Sequence, residues 1–339
     1  MNRAVPIPLA DAALGAAPSE ENLALAEDLA SGASDPDRTL QASKLFVQEG
    51  KRERAIEALR QGILAHPRHG AMLGQLADLL SRSGSLEEAD LTIQKALESD
   101  PDSAELRYLE GLHHARHGRA PRARAAYEEA VRRDAGHVKG WVNLGLTLAE
   151  GGQLEEAIRA LERATVADPD CAEAHGNLGV LYAEKGLTEE ALEEFRRAIA
   201  IHPDSASAHF NLGWALLGED DRERAEAALL ESARLDPENP ECFHALALLH
   251  QRIGSYGRAV ADLKRAIELK PEDARFHYHL GVAYNSQDAV DQAILALETA
   301  ARLSPNEARI HRLLGVAYDK KELPARAREA YRRAAALNG

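Results

Sequence analysis

The side chains best equipped for chemistry in this chain are its fourteen histidines. His113 and His117 stand four residues apart, so on a helix they share a face and could offer two nitrogens to a metal ion. A lone pair without a third ligand holds a metal poorly, and no metal site is expected there. His175, His209, His277 and His311 recur at multiples of 34 residues, which reads as packing in a repeated structure. An approach of His244, His277 and His279 across repeats 7 and 8 would tune groove charge near neutral pH, but no such role is assigned to them. The two cysteines, Cys171 and Cys242, make neither a metal nor a redox motif and read as buried or half-buried thiols of a reducing compartment. No phosphate-cradling loop, nucleophile elbow or zinc motif occurs. The chain is expected to be no enzyme and to use no cofactor.

What must position these residues is a 34-residue repeat. Units in one register begin at Pro36, Gly70, Ala104, Val138, Ala172, Ala206, Pro240, Ala274 and Ala308, without an insertion. They divide the chain into 36–69, 70–103, 104–137, 138–171, 172–205, 206–239, 240–273, 274–307 and 308–339, preceded by an extension over 1–35. Within a unit, position 20 is always Ala, from Ala55 to Ala327, and position 8 is always small. Position 24 is always large and apolar, as in Leu161, Phe195 and Tyr331, and position 27 is small. Position 32 is Pro except at Ala135 and Gly339.

These spacings predict two helices per unit. Positions 4, 7, 8 and 11 share one face of the first, and positions 20, 24 and 27 share one face of the second. Small residues at 8 and 20 let the backbones approach, and the large residue at 24 fills the space between them. Gly at position 15, as in Gly84 and Gly152, supplies the left-handed turn. Pro at 32 ends the second helix.

The pattern resembles the tetratricopeptide repeat (TPR) family over about nine-tenths of the chain. The resemblance implies an all-α fold, a right-handed superhelical solenoid of helix-turn-helix repeats with the first helices on the concave side. Repeat 1 departs from the family pattern at Ala42 and Ser43, and repeat 3 at Glu110 and His114, where apolar residues are usual. These two repeats are expected to pack least well. The Arg-rich last helix, 324–339, is expected to cap its own end.

Composition agrees with this reading and narrows the partners. Aromatics are only 4%, so the core is built from Ala and Leu, which favour helices. A net charge of −14 argues against a nucleic-acid or anionic-membrane binder. Pro6, Pro8 and Asp11 interrupt any apolar run near the start, and no segment is long enough to span a bilayer. A cytoplasmic location follows as the default. Residues 1–35 read as flexible, with a helical turn or two near Glu20–Leu29.

The implied function is a scaffold or adaptor that holds a protein or peptide partner in its concave groove, at repeats 4 to 8. Position 6 is Asn143, Asn177 and Asn211 in three consecutive repeats. An amide both donates and accepts, so such a series can pair with an extended peptide backbone. It resembles the asparagine ladder in the repeat domain of O-linked N-acetylglucosamine transferase; Gln41, Gln75 and His279 only approximate it. Beside it, positions 5 and 9 supply an apolar strip: Val142, Leu146, Val180, Phe210, Trp214, Leu248, Tyr278 and Val282. The carboxylate clamp of heat-shock chaperone binders is excluded, because position 9 is never Asn and Lys139, Arg275 and Arg309 lack the clamp's partners. Two alternatives remain: a self-assembling homo-oligomer, with Pro6, Ile7, Pro8 and Leu9 in a neighbour's groove, or a targeting subunit of a separately encoded enzyme such as a glycosyltransferase or kinase.

Overall fold

The computed structural model describes residues 20–31, 35–219 and 221–337, all helices and short turns. Helix α1 is Glu20–Ser31. Eight helical hairpins and one further pair of helices follow: α2 Pro36–Gln48 with α3 Arg52–Ala65, α4 Gly70–Arg82 with α5 Leu86–Ser99, and α6 Ala104–Arg116 with α7 Ala120–Arg133. Next come α8 Val138–Glu150 with α9 Leu154–Ala167, then α10 Ala172–Lys185 and α11 Thr188–Ile201 in succession, and α12 Ala206–Gly218 with α13 Arg222–Leu235. The last are α14 Pro240–Arg252 with α15 Tyr256–Leu269, α16 Ala274–Ser286 with α17 Val290–Leu303, and α18 Ala308–Lys320 with α19 Pro324–Leu337. They gather in two compact units that divide between Lys185 and Gly186, one carrying α1–α10 and the other α11–α19.

The ends of each hairpin follow from local chemistry. The residue before most first helices caps them: Asp35, Ser103, Ser205, Asn239 and Asp273 accept from backbone N–H groups of the first turn. His69 and His137 do the same through Nδ1, accepting from Met72 and Gly140. Every described residue at position 15 has positive φ, glycine in six units, Asp288 and Glu322 in two. That left-handed residue lets Lys51, Ser85 and Gln153 return a backbone N–H to Phe46, Leu80 and Leu148, closing the first helix.

Packing within a hairpin explains the invariant small residue. A Cβ built on Gly111 would stand 2.4 Å from the Tyr127 ring, and one on Gly145 would stand 2.8 Å from Leu161 Cγ. Tyr127 and Leu161 are themselves wholly buried. Between hairpins, each second helix packs on the next first helix, as α7 on α8 and α13 on α14. First helices also touch in sequence, α2, α4 and α6 in one unit and α12, α14, α16 and α18 in the other. Alanines at position 20, from Ala55 to Ala327, are buried throughout.

Four features differ from, or refine, the sequence reading. Residues 20–31 form a full helix: Ala26 is buried, Leu23, Leu29 and Ala30 pack on the core beneath, and Arg38 and Arg54 pair with Asp28 and Glu27. Residues 1–19, with Pro6–Leu9, lie outside the described residues. Ser43, at the small position of repeat 1, is buried with its hydroxyl unpaired. In repeat 3, Glu110 and His114 border a cleft of about 330 Å3 where apolar side chains would close the packing. The arginines of α19 are exposed beside buried Ala327, Ala330 and Ala334.

Candidate functional site

The first helices carry every residue expected at the binding face, and stacking sorts them by position. Position 5 turns inward. Val142 is 2% exposed within the core that holds Leu161, Ala174 and Leu178. Phe210 is 4% exposed, packed with Leu229 and with Cys242, Ala245 and Leu246 around the next first helix. Both therefore belong to the core and not to an open apolar strip, because the neighbouring hairpin covers them. Tyr278 stays half-buried, with the Arg309 guanidinium 5.0 Å from its ring centre.

Position 9 stays half open. Leu146 and Val180 in one unit, and Trp214, Leu248 and Val282 in the other, are all half-buried. Leu112 and Val316 occupy the same position in repeats 3 and 9 with the same partial exposure, although the sequence reading did not include them. Trp214 stacks on Phe210 with ring centres 6.1 Å apart, so a buried ring supports a partly solvated one. The row turns polar at Lys44 and Asp78 in repeats 1 and 2.

The asparagines at position 6 are not equivalent. Asn143 Nδ2 donates to the Lys139 carbonyl one turn earlier in α8, at 2.9 Å. Asn177 and Asn211 are 5% and 8% exposed, and Asn177 Nδ2 has no hydrogen-bond partner. His279, at position 6 of repeat 8, lies 5.0 Å ring to ring from His244 of repeat 7. Burial and the charges of His244, Arg309 and Arg275 hold His279 down at about 3. Glu241 is held below the usual carboxylate range by His244 and Arg275, against the opposing effect of burial.

His277 does not join that pair. Its Nε2 donates instead to the carbonyl of Pro271, at 2.8 Å. The same bond recurs from His175 to Pro169, His209 to Pro203 and His311 to Pro305, at 3.0, 2.9 and 2.8 Å. Trp141 Nε1 repeats it to the carbonyl of Ala135, also at position 32. Position 4 thus ties each of these first helices to the turn before it, a role beyond packing. The recurring Pro six residues before His was the available signal.

Other polar contacts, most of them between repeats, were not visible in the linear sequence. His250 is buried between Asp262 Oδ2, at 2.6 Å, and Glu226 Oε1, at 3.2 Å. His113 Nε2 meets Asp90 Oδ1 at 2.9 Å, and Arg119 donates to both Asp90 oxygens. Cys242 donates its S–H to the Leu229 carbonyl, and burial pushes the thiol up to about 11. Cys171 and Cys242 are both free.

Comparison with known proteins is consistent with this hairpin geometry. Tetratricopeptide repeat family models match residues 40–91, 75–138 and 145–186. The chain is a tetratricopeptide repeat protein. Residues 172–339 of this TPR protein also match the family model described as the C-terminal domain of cilia and flagella-associated protein 70. No curated protein sequence matches it. Among solved structures it is similar to a chain of the APC/C hetero-tetramer Cut9-Hcn1, with TM-score 0.59 and 17% identity over 86% of this chain. The TPR chain spans 58% of the length of that relative. It is also similar to pilF of Pseudomonas aeruginosa, with TM-score 0.55 and 20% identity, over 65% of this chain and 96% of that one. These identities show the fold alone. Among the described residues, no helix is long and apolar enough to cross a membrane. TPR folds serve in general as protein-interaction scaffolds.

Proposed function

We propose that this TPR protein is a non-catalytic scaffold that binds a protein segment along the exposed face of its first helices. The observation that carries the reading is position 9 within each unit: an apolar side chain in α6, α8 and α10 of one unit and in α12, α14, α16 and α18 of the other, each half-buried. A residue serving only the core would be covered by its neighbours, as Val142 and Phe210 are. A residue serving only solubility would be polar, as Lys44 and Asp78 are. Partly open apolar side chains, one per repeat, suit a partner that completes their burial. Trp214 is the strongest single contact of the row, because its ring offers a large area on a rigid support. Asn177, with a buried donor left unpaired, adds a hydrogen bond that a partner's carbonyl could take after a small side-chain shift.

The test replaces Asn177, Asn211 and Trp214 together, with helicity checked by circular dichroism, and compares partner recovery after crosslinking in cells. Loss of the specific partners with intact helicity supports the reading. Unchanged recovery with intact helicity rejects it.

A further inference from the structure

One side-chain cluster stands apart from that face. Asp90 on α5 and His113 and His114 on α6 place one potential ligand atom each within 4.8 Å of one another. Asp90 Oδ1 and His113 Nε2 are 2.9 Å apart, sharing the hydrogen bond whose proton an ion would displace. Two further observations point to a ligand. His114 Nδ1 is buried with no hydrogen-bond partner, and His113 is wholly buried with Nε2 on Asp90, its Nδ1 on the far side of the ring being where the proton goes when Nε2 takes an ion. His114 and Glu110 fill positions where a TPR unit uses apolar residues, and both line the cleft of about 330 Å3 that leads to Asp90. Polar groups at core positions cost stability unless they are paired, so this constellation needs a compensating interaction.

We propose that Asp90, His113 and His114 form a binding site for a divalent transition-metal ion of the zinc or cobalt class. Two imidazoles and one carboxylate are borderline donors that suit these ions better than calcium or magnesium. Tetrahedral coordination with bonds of about 2.1 Å sets ligand atoms about 3.4 Å apart, so Asp90 and His113 part by about 0.5 Å and the His114 ring moves inward by up to about 1.4 Å. Water entering by the cleft takes the fourth position. Arg119 now donates to Oδ1 and Oδ2 of Asp90, at 3.0 and 3.1 Å. The incoming ion takes Oδ1, and Arg119 keeps Oδ2, orienting the carboxylate. His117 lies outside the ligand set: its Nε2 meets Ser81 Oγ at 3.2 Å.

The experiment titrates chelator-treated, full-length protein with Co2+, read by visible absorption, and with Zn2+ by calorimetry. The expected result is one equivalent bound, with cobalt bands of a four-coordinate nitrogen and oxygen site. His114→Ala and Asp90→Asn should each weaken binding at least tenfold, while His117→Ala should leave it unchanged. Asp90→Asn preserves shape and decides the matter if His114→Ala does not fold. Absence of stoichiometric binding, or binding indifferent to Asp90→Asn, overturns the proposal and leaves the cluster as a hydrogen-bonded tie between repeats 2 and 3.

Discussion

The imidazole of His279 lies 5.0 Å from that of His244, ring centre to ring centre, across the adjacent first helices α16 and α14. His244 Nε2 and His279 Nδ1 are both buried without hydrogen-bond partners. Burial and neighbouring positive charge hold His279 down at about 3, so the fold excludes a proton that the unfolded chain takes up below pH 6.5. Between these values the unfolded state binds more protons, and stability falls as pH falls.

His279→Asn should therefore lessen acid sensitivity. Between pH 7 and pH 5 most carboxylates stay ionised in both states, so the difference isolates histidine. The drop in melting temperature over that interval should be smaller in the variant than in the natural chain. Equal drops would show that His279 protonates as readily folded as unfolded.

Gly111→Ala should destabilise, since the new Cβ would stand 2.4 Å from the wholly buried Tyr127 ring. Overpacking of this kind costs about 1–3 kcal/mol. Tyr127→Leu in the same chain should recover part of the loss, since repeat 7 already packs Ala at this position, Ala247, with Leu263 in one fully buried cluster. Denaturant unfolding of the two single variants and the double variant gives the coupling energy, and strict additivity would contradict a shared steric cause.

Glu322→Gly should stabilise. Glu322 holds φ at 58°, at the turn position where six repeats use glycine. Relief of left-handed strain is worth about 1 kcal/mol, less the greater freedom glycine gives the unfolded chain. Asp288 shares the conformation but also takes an ion pair from Lys320, so its replacement should gain less. Paired thermal melts check the order.

The hairpins were legible because their causes are local and recur. Ala at position 20, a small residue at 8 and a large one at 24 record the approach of two helices within 34 residues, and Gly111 with Tyr127 shows that approach directly. The binding face was legible only in part. Helical periodicity sets Val142, Asn143 and Leu146 on one side of α8, but it does not say how much of that side the next hairpin covers. Stacking buried Val142 and Phe210 and left Leu146 and Trp214 half open. The ties from Asp90 to His113 and from His250 to Glu226 span 23 and 24 residues. Each joins surfaces of neighbouring repeats, and the lateral fit of two repeats is not written in the pattern of either one. Helix α1 was legible only as a turn or two near Glu20–Leu29, because it carries no repeat register and gains its stability from packing on α2.

The central claim is that partners meet position 9 of the first helices and not the second helices, and site-specific photo-crosslinking tests it most directly. A photoreactive residue placed in turn at 180, 214 and 248 samples the row. The same residue at Leu64, Val166 and Leu295 samples the second helices, where these side chains are 76%, 73% and 68% exposed. The account predicts discrete protein adducts from 180, 214 and 248, and none above background from the more exposed second-helix positions. Adducts chiefly from 64, 166 and 295, with none from the row, would contradict it.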